Sequence, residues 1–152
     1  AARHHLERRE HAEALDAVVQ EHRPSRRDEC TVEYSPGIAA ADGPPLVQVT
    51  CPLGAMWDAE SAMRTGLRKF LALAPAVWET VPDIGTLNVF YDAEFVDTYG
   101  RTSQQHLLTL QLRSETADKI VWENMDPCRV CRAADVCKSH SGERAAFEAL
   151  CD

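Results

Sequence analysis

The sequence predicts an α+β fold in which a mostly antiparallel sheet packs on one amphipathic helix. Residues 86–96 and 104–113 alternate apolar and polar side chains, which indicates strands. Residues 58–74 carry apolar side chains at helical spacing. A chain of 152 residues is long enough for one domain with a substantial core. We expect an N-terminal helix and a cysteine-rich helical tail to flank this core.

The composition argues against several broad classes of function. Lys and Arg number 16 against 24 Asp and Glu, for a net charge of −8. This charge argues against nucleic-acid binding through the phosphate backbone. No window holds the roughly 18 apolar residues that a membrane-spanning helix needs. Residues 1–152 contain no signal-peptide pattern, and the start at Ala1 is compatible with a cleaved leader or a preceding segment. A membrane is therefore expected as a partner only through an anchor upstream of this sequence.

The first part of the chain, residues 1–24, is predicted to be a stalk-like helix. Leu15 and Val19 belong to a short apolar stripe at helical spacing, whereas residues 3–11 are polar apart from Leu6. Such a helix docks by its second half and projects its first half into solvent. We expect protein partners to bind this helix; the alternative is a frayed terminal helix.

The second part, residues 25–127, is predicted to form the α+β core. Residues 30–34 and 46–51 are rich in strand-forming side chains and are separated by a loop rich in Gly and Pro. We expect them to pair as a hairpin, which brings Cys30 near Cys51. A disulfide between these two requires Cα atoms within about 7 Å. The alternative is two buried thiols.

The helix over 58–74 is predicted to begin at the capping residue Asp58 and to end at Pro75. The strands after it form a long hairpin, and a short helix over 115–124 follows. A parallel pairing of 46–50 with 87–91 is the alternative arrangement, since a helix joins them. The predicted core consists of Met63, Leu67, Phe70 and Leu71 against Leu87, Val89, Tyr91, Leu108 and Leu110, with His106 facing inward beside them.

The third part, residues 128–152, carries four of the six cysteines. One interpretation is disulfide stapling, in which Cys131 or Cys137 pairs with Cys151 on a last helix over 143–150. Cys128 then takes the cysteine that is left. An even number of cysteines at this density favours an oxidising, extracytoplasmic compartment. Free thiols are a further alternative.

A metal centre is the other interpretation of this cysteine cluster. The spacing of Cys128, Cys131 and Cys137 is one that iron–sulfur proteins use. Residues 126–137 resemble the cluster segment of WhiB-like regulators and that of some CRISPR-associated and recombination nucleases. The resemblance implies an iron–sulfur cluster, but the Gly-Trp-Gly-Gly turn of WhiB-like proteins and any nuclease motif are missing. A zinc site is also conceivable, with Cys128, Cys131, Cys137 and either His140 or Cys151 as ligands.

Candidate catalytic residues are few. Asp92 and Glu94 share one face of a strand, where they would flank a substrate or bind a hard cation, or form an ordinary solvated surface. Ser103 and Ser114 are the hydroxyl candidates for a pair with His106. The sequence has no phosphate-binding loop and no nucleophile-elbow motif.

We therefore expect a non-catalytic extracytoplasmic module, stabilised by disulfides, that acts in interaction or assembly within a larger complex. The rival is a cytoplasmic protein whose iron–sulfur cluster or zinc ion has a structural or sensing role. An enzyme that uses Asp92 and Glu94 is the third alternative.

Overall fold

The computed structural model describes residues 2–35, 44–56, 58–140 and 151, with side chains from residue 6 onward. Within these residues the chain forms the predicted α+β fold, a five-stranded sheet with flanking helices. The elements in chain order are α1 (Ala2–Glu21), β1 (Thr31–Ser35), β2 (Leu46–Met56), α2 (Ala59–Thr80), β3 (Thr86–Val96), β4 (Thr102–Arg113), α3 (Ser114–Ala117), a 3₁₀ turn (Trp122–Asn124), α4 (Pro127–Ala133) and β5 (Val136–Ser139).

The strands lie in the sheet in the same order as in the chain, β1-β2-β3-β4-β5. Three of the neighbouring pairs are antiparallel, whereas β2 and β3 run parallel. Parallel neighbours need a crossover connection, and α2 provides it. The mostly antiparallel sheet is therefore confirmed, and the parallel pairing that was the alternative is present within it. Val47 lies opposite Leu87, and Val49 lies opposite Val89.

The core lies between α2 and one face of the sheet. Buried residues alternate along β2, β3 and β4, and the predicted helix residues Met63, Leu67 and Phe70 are fully buried. Leu71 is only partly buried at the edge of this core. The opposite side, which we call the open face of the sheet, carries half-buried polar residues. Gln48, Asn88 and Gln111 lie there side by side.

A glycine sets the distance between α2 and the sheet. A Cβ atom placed on Gly66 would lie 3.2 Å from Cδ2 of Tyr91 and 3.3 Å from Cδ2 of Leu108. These distances leave little room for a side chain, so the helix backbone rests almost directly on the two strand residues. The Tyr91 ring is completely covered as a result, and burial raises the pKa of its hydroxyl.

The helix α2 does not end at Pro75 but continues through it to Thr80. A proline inside a helix lacks an amide hydrogen and costs about 3 kcal/mol. Burial of the following apolar residues offsets this cost, because Val77 and Val81 are buried and Trp78 packs against the core. The prediction of a helix end at Pro75 was wrong because tertiary packing outweighs local preference here.

One further prediction fails between residues 114 and 140. The expected helix over 115–124 is divided into α3 and the 3₁₀ turn. Pro127 begins α4, at a position where the missing amide hydrogen has no cost. Asp126 caps this helix by accepting a hydrogen bond from the Arg129 amide at 2.9 Å. The strand β5 that follows was not predicted.

His106 lies on the open face of the sheet. The alternation of apolar residues had predicted that it points inward beside Leu108, so this prediction was wrong. The pairing of β3 with β4 shifts register between Tyr91 and Asp92, which leaves Leu107 as an extra residue. Such a bulge reverses the side on which the preceding residues point. Leu107 and Leu108 are consequently both buried, and His106 faces Asp92.

The helix α1 docks by its second half, as the sequence predicts. Leu15 and Val19 are fully buried, whereas residues 6–10 are exposed. Gln20 fixes the docked end, since its side chain donates to the Cys30 carbonyl at 2.7 Å and accepts from the Cys30 amide at 3.0 Å. One side chain thus satisfies both backbone groups of the residue before β1.

Replacing Gln20 by alanine should lower the free energy of unfolding by about 1–2 kcal/mol, because two partly buried backbone groups of Cys30 lose their partner. Urea denaturation of the oxidised protein measures this loss. Glu21→Ala is the matched control, since Glu21 is exposed on the neighbouring position. A loss no larger than that of the control would show that the two hydrogen bonds contribute nothing.

Candidate functional site

The six cysteines form three disulfides. Cys30, directly before β1, is joined to Cys51 on β2, with their Cα atoms 4.3 Å apart. This is the pair that the predicted hairpin brings together. The neighbouring ladder places Thr31 opposite Thr50, so the bridge links the two strands at the end of their pairing. Both cysteines belong to the buried core.

The cysteines of residues 128–152 pair differently from either predicted arrangement. Cys128 is joined to Cys151, and Cys131 to Cys137, with Cα separations of 5.2 and 5.3 Å. Cys131 lies near the end of α4, and the unpredicted strand β5 returns directly beside it with Cys137. Cys128 lies one turn earlier on α4 and forms the remaining disulfide with Cys151. The predicted helix over 143–150 lies outside the described residues.

Hydrogen bonds hold this part of the chain against the core. The Asp135 carboxylate accepts from the Arg113 amide at 2.7 Å and from Oγ1 of Thr116 at 2.9 Å, so it links β4, α3 and the start of β5. Val130 is fully buried. A guanidinium nitrogen of Arg132 donates to the Cys151 carbonyl at 2.7 Å. Residues 126–140 are therefore held against the core, with α4 beside α2 and β5 paired with β4.

The residues predicted as metal ligands are only partly brought together. The four cysteines are joined in disulfides, whereas iron and zinc bind thiolates. Cys137 lies opposite Leu110 on the core side of the sheet, while the His140 ring lies against His106 on the open face. Across the described ranges no group of three His, Cys, Asp or Glu side chains is suited to a metal ion. The metal alternative thus refers to a reduced form of the protein.

A cluster around His106 occupies the open face of the sheet. Its Nδ1 is hydrogen-bonded to Asp92, and its Nε2 lies 3.2 Å from Oγ1 of Thr109. The Phe90 ring lies 5.0 Å from the imidazole, and the His140 ring packs edge-on at 4.5 Å between centroids. The imidazole is thus held by two hydrogen bonds and two rings.

The order of carboxylate, imidazole and hydroxyl resembles a hydrolase triad. A triad also needs an accessible hydroxyl and an oxyanion hole, and the described contacts of this cluster do not include them. The hydroxyl is that of Thr109, not of the predicted Ser103 or Ser114. Thr109 lies inside the sheet between Phe90 and Lys138. The backbone groups around it are therefore engaged in strand pairing. An oxyanion hole needs free, convergent amide groups. What the described residues show is a hydrogen-bonded network of Asp92, His106 and Thr109.

The other predicted carboxylate does not join this network. Glu94 shares the strand face with Asp92 but pairs across the sheet with Gln104. Asp92 instead has a hydrogen bond to His106. The structure therefore gives the two carboxylates different neighbours, and nothing in these contacts joins them in a common site.

We expect His140 to titrate below 6.5, the usual value for histidine. Partial desolvation lowers its pKa first, followed by repulsion from His106 and Lys138, while Asp92 acts in the opposite direction. A lowered pKa favours the neutral ring in the folded state. Its contribution to stability is therefore complete above pH 6.5 and is lost as the pH falls through the folded-state pKa.

Titration of the imidazole carbon-bound protons by NMR measures this pKa. His106→Asn should raise the pKa of His140 toward 6.5, because it removes both the covering ring and one source of repulsion. Lys138→Gln should raise it less, in line with its smaller effect. A pKa of His140 at or above 6.5 in the unaltered protein would contradict the assignment.

A groove with aromatic walls lies between the last turns of α2 and the α3 region. It encloses about 340 Å³. Ala117 of α3 forms part of its lining. We call it the tryptophan groove; its other lining residues are Pro75, Trp78, Glu79, Pro82, Asp118 and Trp122. Neither the groove nor its residues were predicted as a site, because the predicted end of the helix at Pro75 separated Trp78 from α3.

A second groove, of about 460 Å³, lies between α1 and the edge strand β1. Its lining mixes one basic residue, Arg9, with the acidic residues Glu13 and Asp16 and the side chains of Val32 and Tyr34. Tyr34 also contacts Nδ1 of His11 at 3.3 Å. The mixed charges favour no ligand of one sign, but they leave a polar surface beside the exposed part of α1.

Comparison with protein-family models gives no match. Comparisons with curated proteins and with solved structures give none either. Among the helices that the structure describes, none is both long enough and apolar enough to cross a membrane. The function of the chain must therefore be argued from its own residues.

Proposed function

We propose that this chain is a disulfide-stabilised interaction module that works outside the cytoplasm as a part of a larger complex. The observation that carries the proposal is the complete pairing of the six cysteines into three disulfides. Structural disulfides persist in oxidising compartments and are rare in the cytosol. Two of the six, Cys30 and Cys51, lie in the buried core, where their bridge is protected from reductants in solution.

The surface for a protein partner is the first half of α1 together with the groove beside it. Residues 6–10 are exposed along the whole turn, including Leu6 at 57% exposure. The second half of the same helix is anchored by Leu15 and Val19. A helix fixed at one end and solvated at the other presents a rigid, mostly polar arm. Arms of this kind provide contact area with little loss of conformational freedom on binding.

The absence of catalytic machinery in the described network supports a binding role. The triad-like cluster around His106 has its hydroxyl inside a fully paired part of the sheet. Asp92 and Glu94 are not joined in one site. Turnover of any substrate that is abolished by Asp92→Asn would replace the binding role with an enzymatic one.

The compartment is tested by the oxidation state of the protein in the cells that make it. Thiols are blocked with an alkylating reagent at lysis, and the intact mass is then measured with and without reduction. Complete protection of all six cysteines supports the proposal. Alkylation of Cys128, Cys131 and Cys137, with iron or zinc bound to the protein, would favour the cytoplasmic metal protein instead.

The partner surface is tested by placing a photoreactive amino acid at Leu6 in the same cells. A discrete crosslinked protein, lost when the label is moved to the exposed Ala72 on α2, supports a contact through α1. Removal of residues 2–10 should abolish the crosslink that a label at Glu13 forms with the partner. It should not lower the midpoint of thermal unfolding, since no described side chain in 6–10 is buried. Equal crosslinking from both positions would contradict the assigned surface.

A further inference from the structure

We propose that the tryptophan groove binds the guanidinium group of an arginine side chain that a partner protein presents. The inference rests on the proposed function, because the arginine belongs to a protein that the module contacts. It adds the chemistry of recognition to that function. Two indole rings and two carboxylates line one cavity, and none of its lining residues in the described part of the chain is basic.

The aromatic walls suit a flat cation. Trp78 and Trp122 are both half-buried, so each indole keeps accessible surface in the groove. Indole is the side chain that attracts cations most strongly through its π-electrons. Trp78 is also fixed in place, since its Nε1 donates to the Ile84 carbonyl at 3.0 Å. A preoriented ring loses little freedom when a ligand stacks on it.

The carboxylates supply the complementary charge. Glu79 and Asp118 are exposed at the groove, and neither takes part in the ion pairs found among the described residues. Lys119 follows Asp118 but does not line the groove. The net charge of −8 adds a long-range attraction for cations. Both local and overall charge thus favour a cationic ligand.

The combination favours arginine over lysine. A guanidinium is planar, stacks on aromatic rings and binds a carboxylate through two parallel hydrogen bonds, whereas an ammonium is a compact and strongly hydrated charge. The cavity of about 340 Å³ is at the small end of ligand sites, so it admits one side chain and not a folded element. Arginine is also among the residues that dominate the centres of protein interfaces.

The probe for this site is an acetylated and amidated pentapeptide with one central arginine between glycines. The same peptide with citrulline is the matched control, because citrulline keeps the shape of arginine but not its charge. NMR of the ¹⁵N-labelled, oxidised protein follows the indole signals of Trp78 and Trp122. We expect saturable shifts of both signals by the arginine peptide, with a dissociation constant on the order of 1 mM, and no saturation by the citrulline peptide.

Charge variants test the assigned carboxylates. Glu79→Gln combined with Asp118→Asn should weaken binding of the arginine peptide by about tenfold. Asp83→Asn combined with Glu123→Gln is the control, since both residues are exposed next to the groove in sequence without lining it. It changes the net charge equally and should alter binding by less than about twofold. All four substitutions are at exposed positions, and the comparison of arginine with citrulline needs no variant at all.

Each other outcome overturns the inference. The absence of saturable shifts by the arginine peptide would remove the site. Equal weakening by both double variants would reduce the effect to non-specific charge. Tetramethylammonium chloride that binds as tightly as the arginine peptide would assign the groove to a small free cation. None of these results depends on the oxidation state of the cysteines or on the crosslinks from Leu6. The proposed function is therefore tested independently of the arginine site.

Discussion

Replacing both Cys30 and Cys51 by alanine is expected to lower the free energy of unfolding by about 3 kcal/mol. The bridge closes a loop with a sequence separation of 21 residues, and opening it restores the conformational entropy of that loop in the unfolded chain. Small domains have only about 5–15 kcal/mol of stability in total. The bridge between β1 and β2 is therefore expected to contribute a large share of the total free energy of unfolding.

The bridge between Cys131 and Cys137 provides the comparison. Its separation of 6 residues closes a much shorter loop, so the double alanine variant should lose about 2 kcal/mol by the same relation. Urea denaturation of both variants under non-reducing conditions gives the two values. A smaller loss for Cys30 and Cys51 than for Cys131 and Cys137 would show that loop entropy does not control these bridges.

Leu67→Ala is expected to cost about 3 kcal/mol, the second large effect. Leu67 is fully buried on α2, one residue after the glycine that rests on Tyr91 and Leu108. Because the helix backbone already lies so close to the sheet there, α2 cannot move inward to fill the space that the leucine leaves. The cavity should therefore persist and add its cost to the lost hydrophobic burial.

Leu71→Ala is the matched control for this substitution. Leu71 lies one turn further along the same helix and is only partly buried, so we expect a loss of about 1 kcal/mol. Chemical denaturation should show unchanged slopes for both variants if only native packing is altered. Equal losses at the two positions would mean that burial on α2 does not determine its contribution to stability.

The sequence predicts best those elements whose apolar residues repeat over several turns or strand positions. Met63, Leu67 and Phe70 on the helix were assigned to the core correctly, and so were Leu87 and Leu110 on the strands. In these segments the apolar pattern repeats over enough residues to distinguish a helix from a strand without tertiary information. The direction in which β2 pairs with β3 was harder to predict, since parallel and antiparallel pairing satisfy the same apolar pattern.

The failures share a physical cause, which is the dominance of tertiary contacts over local signals. Pro75 lies within α2 because the burial of Val77 and Val81 outweighs its cost. The bulge at Leu107 depends on the strand opposite it and has no local signal in glycine or proline. The four residues of β5 are too few to show alternation, so only their pairing with β4 reveals the strand.

The candidate sites were less predictable than the fold. Spacing alone suggested that cysteines 128–151 act together, but their connectivity depends on where β5 returns beside α4. The tryptophan groove joins two segments that are at least 35 positions apart in the chain, and Trp78 and Trp122 are 44 positions apart. A pair of tryptophans accompanied by acidic neighbours was the signal available in the sequence, yet nothing in it shows that the two lie together.

Under the proposed extracytoplasmic function, the match between strand order and chain order would affect the order in which the protein acquires its bridges. A chain that crosses a membrane from its N-terminus delivers β1 and β2 first, so Cys51 meets Cys30 before the other four cysteines arrive. The later pairs are nested, with Cys131 and Cys137 lying between the partners of the outer bridge. Vectorial delivery thus favours the consecutive pair Cys30–Cys51, whereas in the nested set Cys131 reaches Cys128 before either native partner arrives. Rearrangement by thiol–disulfide exchange would therefore be needed only in the C-terminal set.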